Sequence, residues 1–233
     1  MSAQDKPVVY GTEDLLISLC NSVVDVLVAA THSQVRYSAM VQRISKTCLK
    51  PDIGCFVLFD GGFSGLVVLN FSAQTAMEFY ERYMLNMNMP KEDLAIAHTS
   101  DEVSNVMGEL MNQIIGDFTS KVRRELHTHI TQSQPKMLVL NKQVNLSVDT
   151  HLDKPEARRV TFYTGRDNIF YLELATDRTE FIKLYDFDAQ QAPNPDDLLD
   201  QVQAGSLLTP GSAKPPADAS SSEHDDFLKS LGM

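Results

Sequence analysis

Glu109 and Asn112 are the residues of this 233-residue chain whose types and spacing best fit chemistry. They stand three apart in Gly108-Glu-Leu-Met-Asn-Gln-Ile-Ile-Gly116. Residues three apart share a helix face, so a carboxylate and a carboxamide project together. The carboxylate can pair with a cation on a docking partner. The carboxamide offers a donor and an acceptor without titrating, so it can orient a water but cannot take its proton. By spacing alone, the plainer reading is the solvated face of an amphipathic helix. A second copy, Glu102-Val-Ser-Asn105, lies one heptad upstream. Glu102 has a structural explanation, as the reciprocal acid of a capping box Thr99-Ser-Asp-Glu102; Glu109 has none.

The elements that must position this pair read as an α+β body. Thr12-Glu13-Asp14 predicts a helix start with a hydroxyl cap and acids in the first turn. Leu15, Leu16, Leu19, Val23, Val26 and Leu27 then recur at helical spacing to about Ala30. Strands are expected at Val35 to Ile44, Ile53 to Phe59 and Gly65 to Phe71. Asp60-Gly61-Gly62 turns the last two into a hairpin. Ser72 should cap a helix carrying Ala76, Phe79 and Tyr80. The helix that bears Glu109 should bury Val103, Val106, Met107, Leu110, Ile114 and Ile115, with Gly116 a point of interruption or tight packing before Leu126. Strands then follow at Met137 to Val148, Arg159 to Thr164 and Ile169 to Ala175, the last two joined by a tight turn at Arg166-Asp-Asn168. After Phe187, Pro, Gly, Ser, Ala and Asp dominate, which predicts a flexible linker.

Composition narrows the function classes. The chain has 31 acidic and 20 basic residues, a net charge of −11. That argues against nucleic acid as a partner, because a phosphate backbone needs a basic surface. Residues 189–233 are the denser acidic segment, with seven acids and two bases. No apolar run approaches the ~18 residues of a membrane span. The first seven residues lack the basic-then-apolar pattern of a secretion signal. Cys20, Cys48 and Cys55, odd in number and in apolar contexts, are expected to be buried free thiols in a reducing cytoplasm. No Cys/His spacing suggests zinc; His127 and His129, two apart, are not a helical ligand pair.

The segment Gly108 to Gly116 resembles the signature helix of the CheC/CheX phosphatases, Glu-x-x-Asn followed closely by Gly. Gly65-Leu-Val-Val-Leu-Asn-Phe71, then Ala73 and Ala76, resembles the strand and helix start that precede it in that family, and the order of elements agrees over roughly residues 10–178. The resemblance implies a CheC-like α/β sandwich with an antiparallel-type sheet. It also implies homodimerisation and dephosphorylation of a CheY-like response regulator. With no second motif copy in the C-terminal half, the chain is closer to the CheX type. Asn112 would hold the attacking water, and Glu109 would pair with a lysine of the receiver and fix docking. No cofactor of its own is implied, because the receiver brings Mg²⁺. A non-catalytic adaptor or flagellar-switch-like protein that binds CheY is the alternative.

The tail carries a second resemblance. Asp225-Asp-Phe-Leu-Lys-Ser-Leu-Gly-Met233 is similar to the CheY-binding terminus of CheZ, Asp-Asp-Leu-Leu-Asp-Ser-Leu-Gly-Phe, with Phe227, Lys229 and Met233 as departures. Asp225, Asp226, Phe227, Leu228 and Leu231 are the expected contacts, folding into a short helix on binding. The expected organisation is therefore a domain over 1–188, a linker over 189–223 and a docking peptide over 224–233. A candidate short helix at 195–203, around Asp196-Asp-Leu-Leu-Asp200, either docks too or packs back on the domain. A linker of about 35 residues spans roughly 30–35 Å and gives a local concentration in the ~mM range. Deleting residues 224–233 is expected to raise the KM for a phosphorylated receiver more than it lowers turnover. Steady-state kinetics of the full and shortened chains check this, and equal kinetics would remove the docking role.

Overall fold

The computed structural model describes residues 8–183, apart from 141–143, 145, 149, 150 and 153. Its elements run β1 (Val8–Tyr10), α1 (Thr12–Thr31), β2 (Val35–Ile44), β3 (Thr47–Leu49), β4 (Ile53–Gly61), β5 (Gly65–Phe71) and α2 (Ala73–Asn86). They continue as α3 (Asp101–Leu126), β6 (Ile130–Gln132), β7 (Lys136–Val139), β8 (Leu146–Val148), β9 (Pro155–Thr164), β10 (Ile169–Asp177) and β11 (Phe181–Lys183). The main sheet is antiparallel in the order β2-β9-β10-β5-β4-β6, with β7 also on β4. The expected α+β sandwich with an antiparallel sheet is the observed architecture.

β5 explains why its sequence shows no alternation. All seven of its residues are buried, because both faces of the sheet are covered there. Val67, Leu69 and Phe71 point to the helices, where they join Leu19, Val23 and Leu27 of α1, Phe79 of α2 and Leu110 and Ile114 of α3. Leu66 and Val68 point the other way, into a smaller cluster with Leu49, Ala157 and Ala175 under β3 and β8. Each fully buried aliphatic side chain contributes roughly 1.5–3 kcal/mol. Phe170 of β10 stacks between Phe71 and Phe162 at ring-centroid distances of 5.3 and 4.9 Å, and Phe79 meets it edge-on at 5.5 Å.

The smaller face is held by buried polar groups that take the place of a neighbouring strand. Asn70 accepts from the Lys50 amide (2.6 Å) and donates to the Cys48 carbonyl (2.9 Å). Glu173, fully buried, accepts from the Cys48 amide (2.8 Å) and from Arg159 Nε (2.8 Å). Glu173 and Arg159 are directly opposed across β10 and β9. On the helical side, buried Glu78 of α2 accepts from Thr164 Oγ1 and Asn168 Nδ2, both at 2.7 Å, and so ties down the β9–β10 turn.

Several expectations are corrected. The cap of α1 is Gly11, not Thr12. Thr12 is buried in the first turn, and the Asp14 carboxylate accepts from the Gly11 amide at 2.8 Å. The single strand expected over Met137 to Val148 is two strands on different partners. β4 starts at Ile53, opposite Val139, so there is no strand for the chain to follow further, and β8 pairs β3 instead. α3 runs unbroken through Gly116. α1 is long and apolar enough to cross a membrane by length and composition, contrary to the expectation that no such segment exists. In this fold its apolar stripe is buried against the other helices and the sheet. All three cysteines are free, but Cys48 is only half-buried; burial pushes the Cys20 thiol up to about 12 and raises that of Cys55 as well.

Removing Glu173 would strand a half-buried guanidinium and a backbone donor. Glu173→Ala is expected to lower the unfolding free energy by about 3 kcal/mol, measured by urea denaturation.

Candidate functional site

α3 carries the pair, and its start is set by Ser100, whose hydroxyl accepts from the Val103 amide at 3.3 Å. The cap is thus one residue later than the expected box. Glu102 falls at the second helical position and is a first-turn acid without the reciprocal role foreseen for it. Val103, Val106, Met107, Leu110, Met111, Ile114, Ile115, Phe118 and Val122 are all buried, mostly at alternating steps of three and one along the helix. That stripe fixes the rotation of α3. Glu102, Asn105, Glu109 and Asn112 consequently form an exposed stripe on the opposite side, the two pairs drifting only ~20° over the heptad.

Further along, Lys121 pins α3 to α1. Its ammonium lies 2.7 Å from Asp25 and 2.8 Å from Asp117. Burial alone would push the Asp117 carboxyl up and the Lys121 ammonium down. Their mutual hydrogen bonding and charge reverse both directions, so the pair stays ionised at neutral pH.

Two glutamines orient the exposed pair. Gln113, one turn on, donates through Nε2 to Glu109 Oε1 at 2.8 Å. Gln132 of β6 donates through Nε2 to Asn112 Oδ1 at 3.1 Å. Gln132 does not stand out in the sequence, because residues 130–132 are too short a run to show strand periodicity. The signal that could have found β6 is Asp60-Gly61-Gly62. Gly61, at φ +151°, lies in a conformation that other residues rarely adopt, and a Cβ there would collide with the His129 carbonyl. A Cβ on Gly62 would collide with Thr128. These glycines let the chain leaving α3 press onto the end of β4, which extends through Gly61, beyond the expected Phe59. The β6 register against β4 is then Gln132↔Phe59 and Ile130↔Gly61.

Gly116 shares the Glu109/Asn112 face one turn below Asn112, and a Cβ there would meet nothing within 4 Å. The pair lies on an open helix surface. Grooves of about 480 Å³ between α1 and the end of α3, and about 570 Å³ beside α2, include neither residue in their walls. Among the described residues no three His, Cys, Asp or Glu side chains gather to hold a metal ion. Asp225, Asp226, Phe227, Leu228 and Leu231, and the 195–203 segment, lie outside the described residues.

An antiparallel sheet backed on one face by three helices, with this order of elements, is the fold of CheC/CheX-type chemotaxis proteins. The chain is similar to the chemotaxis protein CheX from Desulfovibrio desulfuricans (TM-score 0.57, 16% identity), covering 70% of this chain and 99% of that one. It is similar to a CheC-like superfamily protein from a Shewanella species (TM-score 0.58, 13% identity, 70% and 97% covered). It is also similar to a structure of the CheX–CheY–BeF₃–Mg²⁺ complex from Borrelia burgdorferi (TM-score 0.51, 15% identity, 71% and 99% covered). By sequence, the chain belongs to the family described as "Protein of unknown function (DUF3334)", whose model matches residues 6–233. No curated protein matches it.

A mid-helix glycine costs up to about 1 kcal/mol relative to alanine, and the space around Gly116 is open. Gly116→Ala is expected to raise the unfolding free energy by about 0.5–1 kcal/mol, read from chemical denaturation.

Proposed function

We propose that this protein is a phosphatase for the aspartyl phosphate of a CheY-like response regulator. The observation that carries the proposal is the presentation of Glu109 and Asn112, side by side and exposed, on a helix whose other face is locked into the core. The fold agrees, and one structure of that fold is a complex of CheX with CheY.

An aspartyl phosphate is a labile acyl phosphate. Its hydrolysis needs a water in line with the departing carboxylate: a P–O bond to water forms, the P–O bond to the aspartate breaks, and the carboxylate and inorganic phosphate are released. The receiver supplies Mg²⁺ and the charges that clamp the phosphoryl group. The contribution asked of this chain is orientation. Asn112 accepts a hydrogen bond from the water through Oδ1 and holds it in line, and Glu109 pairs with a receiver lysine and sets the docking angle. Gly116 offers a partner backbone room to approach beside Asn112. The terminal peptide, Asp225 to Met233, belongs to the proposal as a tether for the same receiver. So does homodimerisation, which rests on the family resemblance alone.

A CheY-binding adaptor without catalysis is the second reading; the acidic tail suits it equally, whereas the Glu109/Asn112 pair has no part to play in it. Mixing the chain with phosphorylated receivers and following phosphate loss separates the two. Asn112→Ala is expected to lower the rate by about a hundredfold or more with receiver binding largely kept. The double variant Glu102→Ala/Asn105→Ala should stay within about twofold of wild type. A rate unchanged by Asn112→Ala would sink the phosphatase reading.

A further inference from the structure

We infer that Gln132 is a positioning residue for Asn112, setting which atom of its carboxamide meets the attacking water. This rests on the phosphatase reading and adds to it a residue outside the helical motif. Ile130 and Gln132 lie on the same side of β6, since side chains two apart in a strand share a face. Ile130 is buried in the helix-side core and anchors that face. Gln132 therefore projects toward α3, where its Nε2 donates to Asn112 Oδ1.

The consequence is chemical. A primary carboxamide can rotate by half a turn about its last bond and exchange donor for acceptor at the same place. A water attacking phosphorus must direct its lone pair at the phosphorus, so the group holding it has to accept one of its hydrogens. By donating to one lone pair of Oδ1, Gln132 fixes the orientation in which that oxygen, with its second lone pair open, lies at the β6 side of the stripe. It leaves Nδ2 as a donor with no partner among the described residues. A rotated amide would present N–H groups to the water and hold it in the unproductive sense. β6 is itself firmly held. Ser133, which follows Gln132 directly, donates its amide to the Leu58 carbonyl (2.8 Å) and accepts from the Leu58 amide through Oγ (3.1 Å). A second positioned element thus reaches the motif helix from the sheet edge.

Three substitutions test the role. Gln132→Ala removes the donor. Gln132→Glu keeps the reach but makes the group an acceptor, which engages Nδ2 and turns Oδ1 away. Gln132→Lys restores a donor. In single-turnover and steady-state dephosphorylation of a receiver, kcat should fall about tenfold in the Ala and Glu variants while KM stays within about twofold. The Lys variant should return to within about threefold of wild-type kcat. The order parameter of the Asn112 side-chain amide, measured by NMR, should drop in the Ala variant and remain high in the Glu variant. A Glu variant as fast as wild type overturns the inference, as do three equally slow variants or a loss confined to KM. In those cases an inactive Asn112→Ala keeps the phosphatase reading intact. A wild-type chain that leaves the receiver's phosphate lifetime unchanged overturns that reading and this role together.

Discussion

The burial of one face of α3 is the constraint from which the rest of the molecule follows. Nine apolar side chains along 26 residues are held against the sheet and the other two helices, which leaves α3 no freedom to roll. A helix that could rotate by a third of a turn would carry Glu109 and Asn112 out of register with any partner. Packing thus converts a short sequence motif into a fixed pair of groups. The bridge from Lys121 to Asp25 and Asp117 adds direction to that packing, since it ties α3 to α1 at one height only. The sheet supplies the complementary restraint: β5, enclosed on both faces, is the rigid plate onto which the helices are pressed.

Much of this is legible in the sequence. The apolar spacing of α1, α2 and α3 predicts helices close to their observed spans, and β2 and β5 match residue for residue. The motif helix can be found because Glu109 and Asn112 lie opposite a regular apolar stripe, and regularity is what periodicity detects. The failures share a cause. β1, β3, β6, β8 and β11 each have three residues, fewer than the two or three alternations needed to show a strand. They exist because a neighbour offers unpaired backbone groups: β6 forms along the rim of β4, and β3 is stitched down by Asn70 and Glu173 from more than 20 residues away. The misplaced caps at Thr12 and Thr99 have a similar origin, since tertiary burial of Thr12 and the choice of Ser100 depend on where the helix meets its surroundings.

The same limit applies to the site. A motif within one helix can be read from spacing, but a hydrogen bond from β6 to that helix cannot, because Asn112 and Gln132 stand 20 positions apart and the segment between them carries no sign of their meeting. Only the paired glycines at the end of β4 hint that another chain segment comes close there, and they do not say which side chain it brings. Sites built across elements become visible once the loops are placed.

The rim of the sheet beside β4 has a consequence of another kind. It is served by two stubs, β6 and β7, with Ser133, Gln134 and Pro135 between them, so no long row of free amides and carbonyls runs along it. Proline lacks the amide that a further strand would need, and an interrupted margin is a poor template for stacking one copy's sheet on the next. Copies of this chain are thereby less prone to pair edge to edge along this border of the sheet.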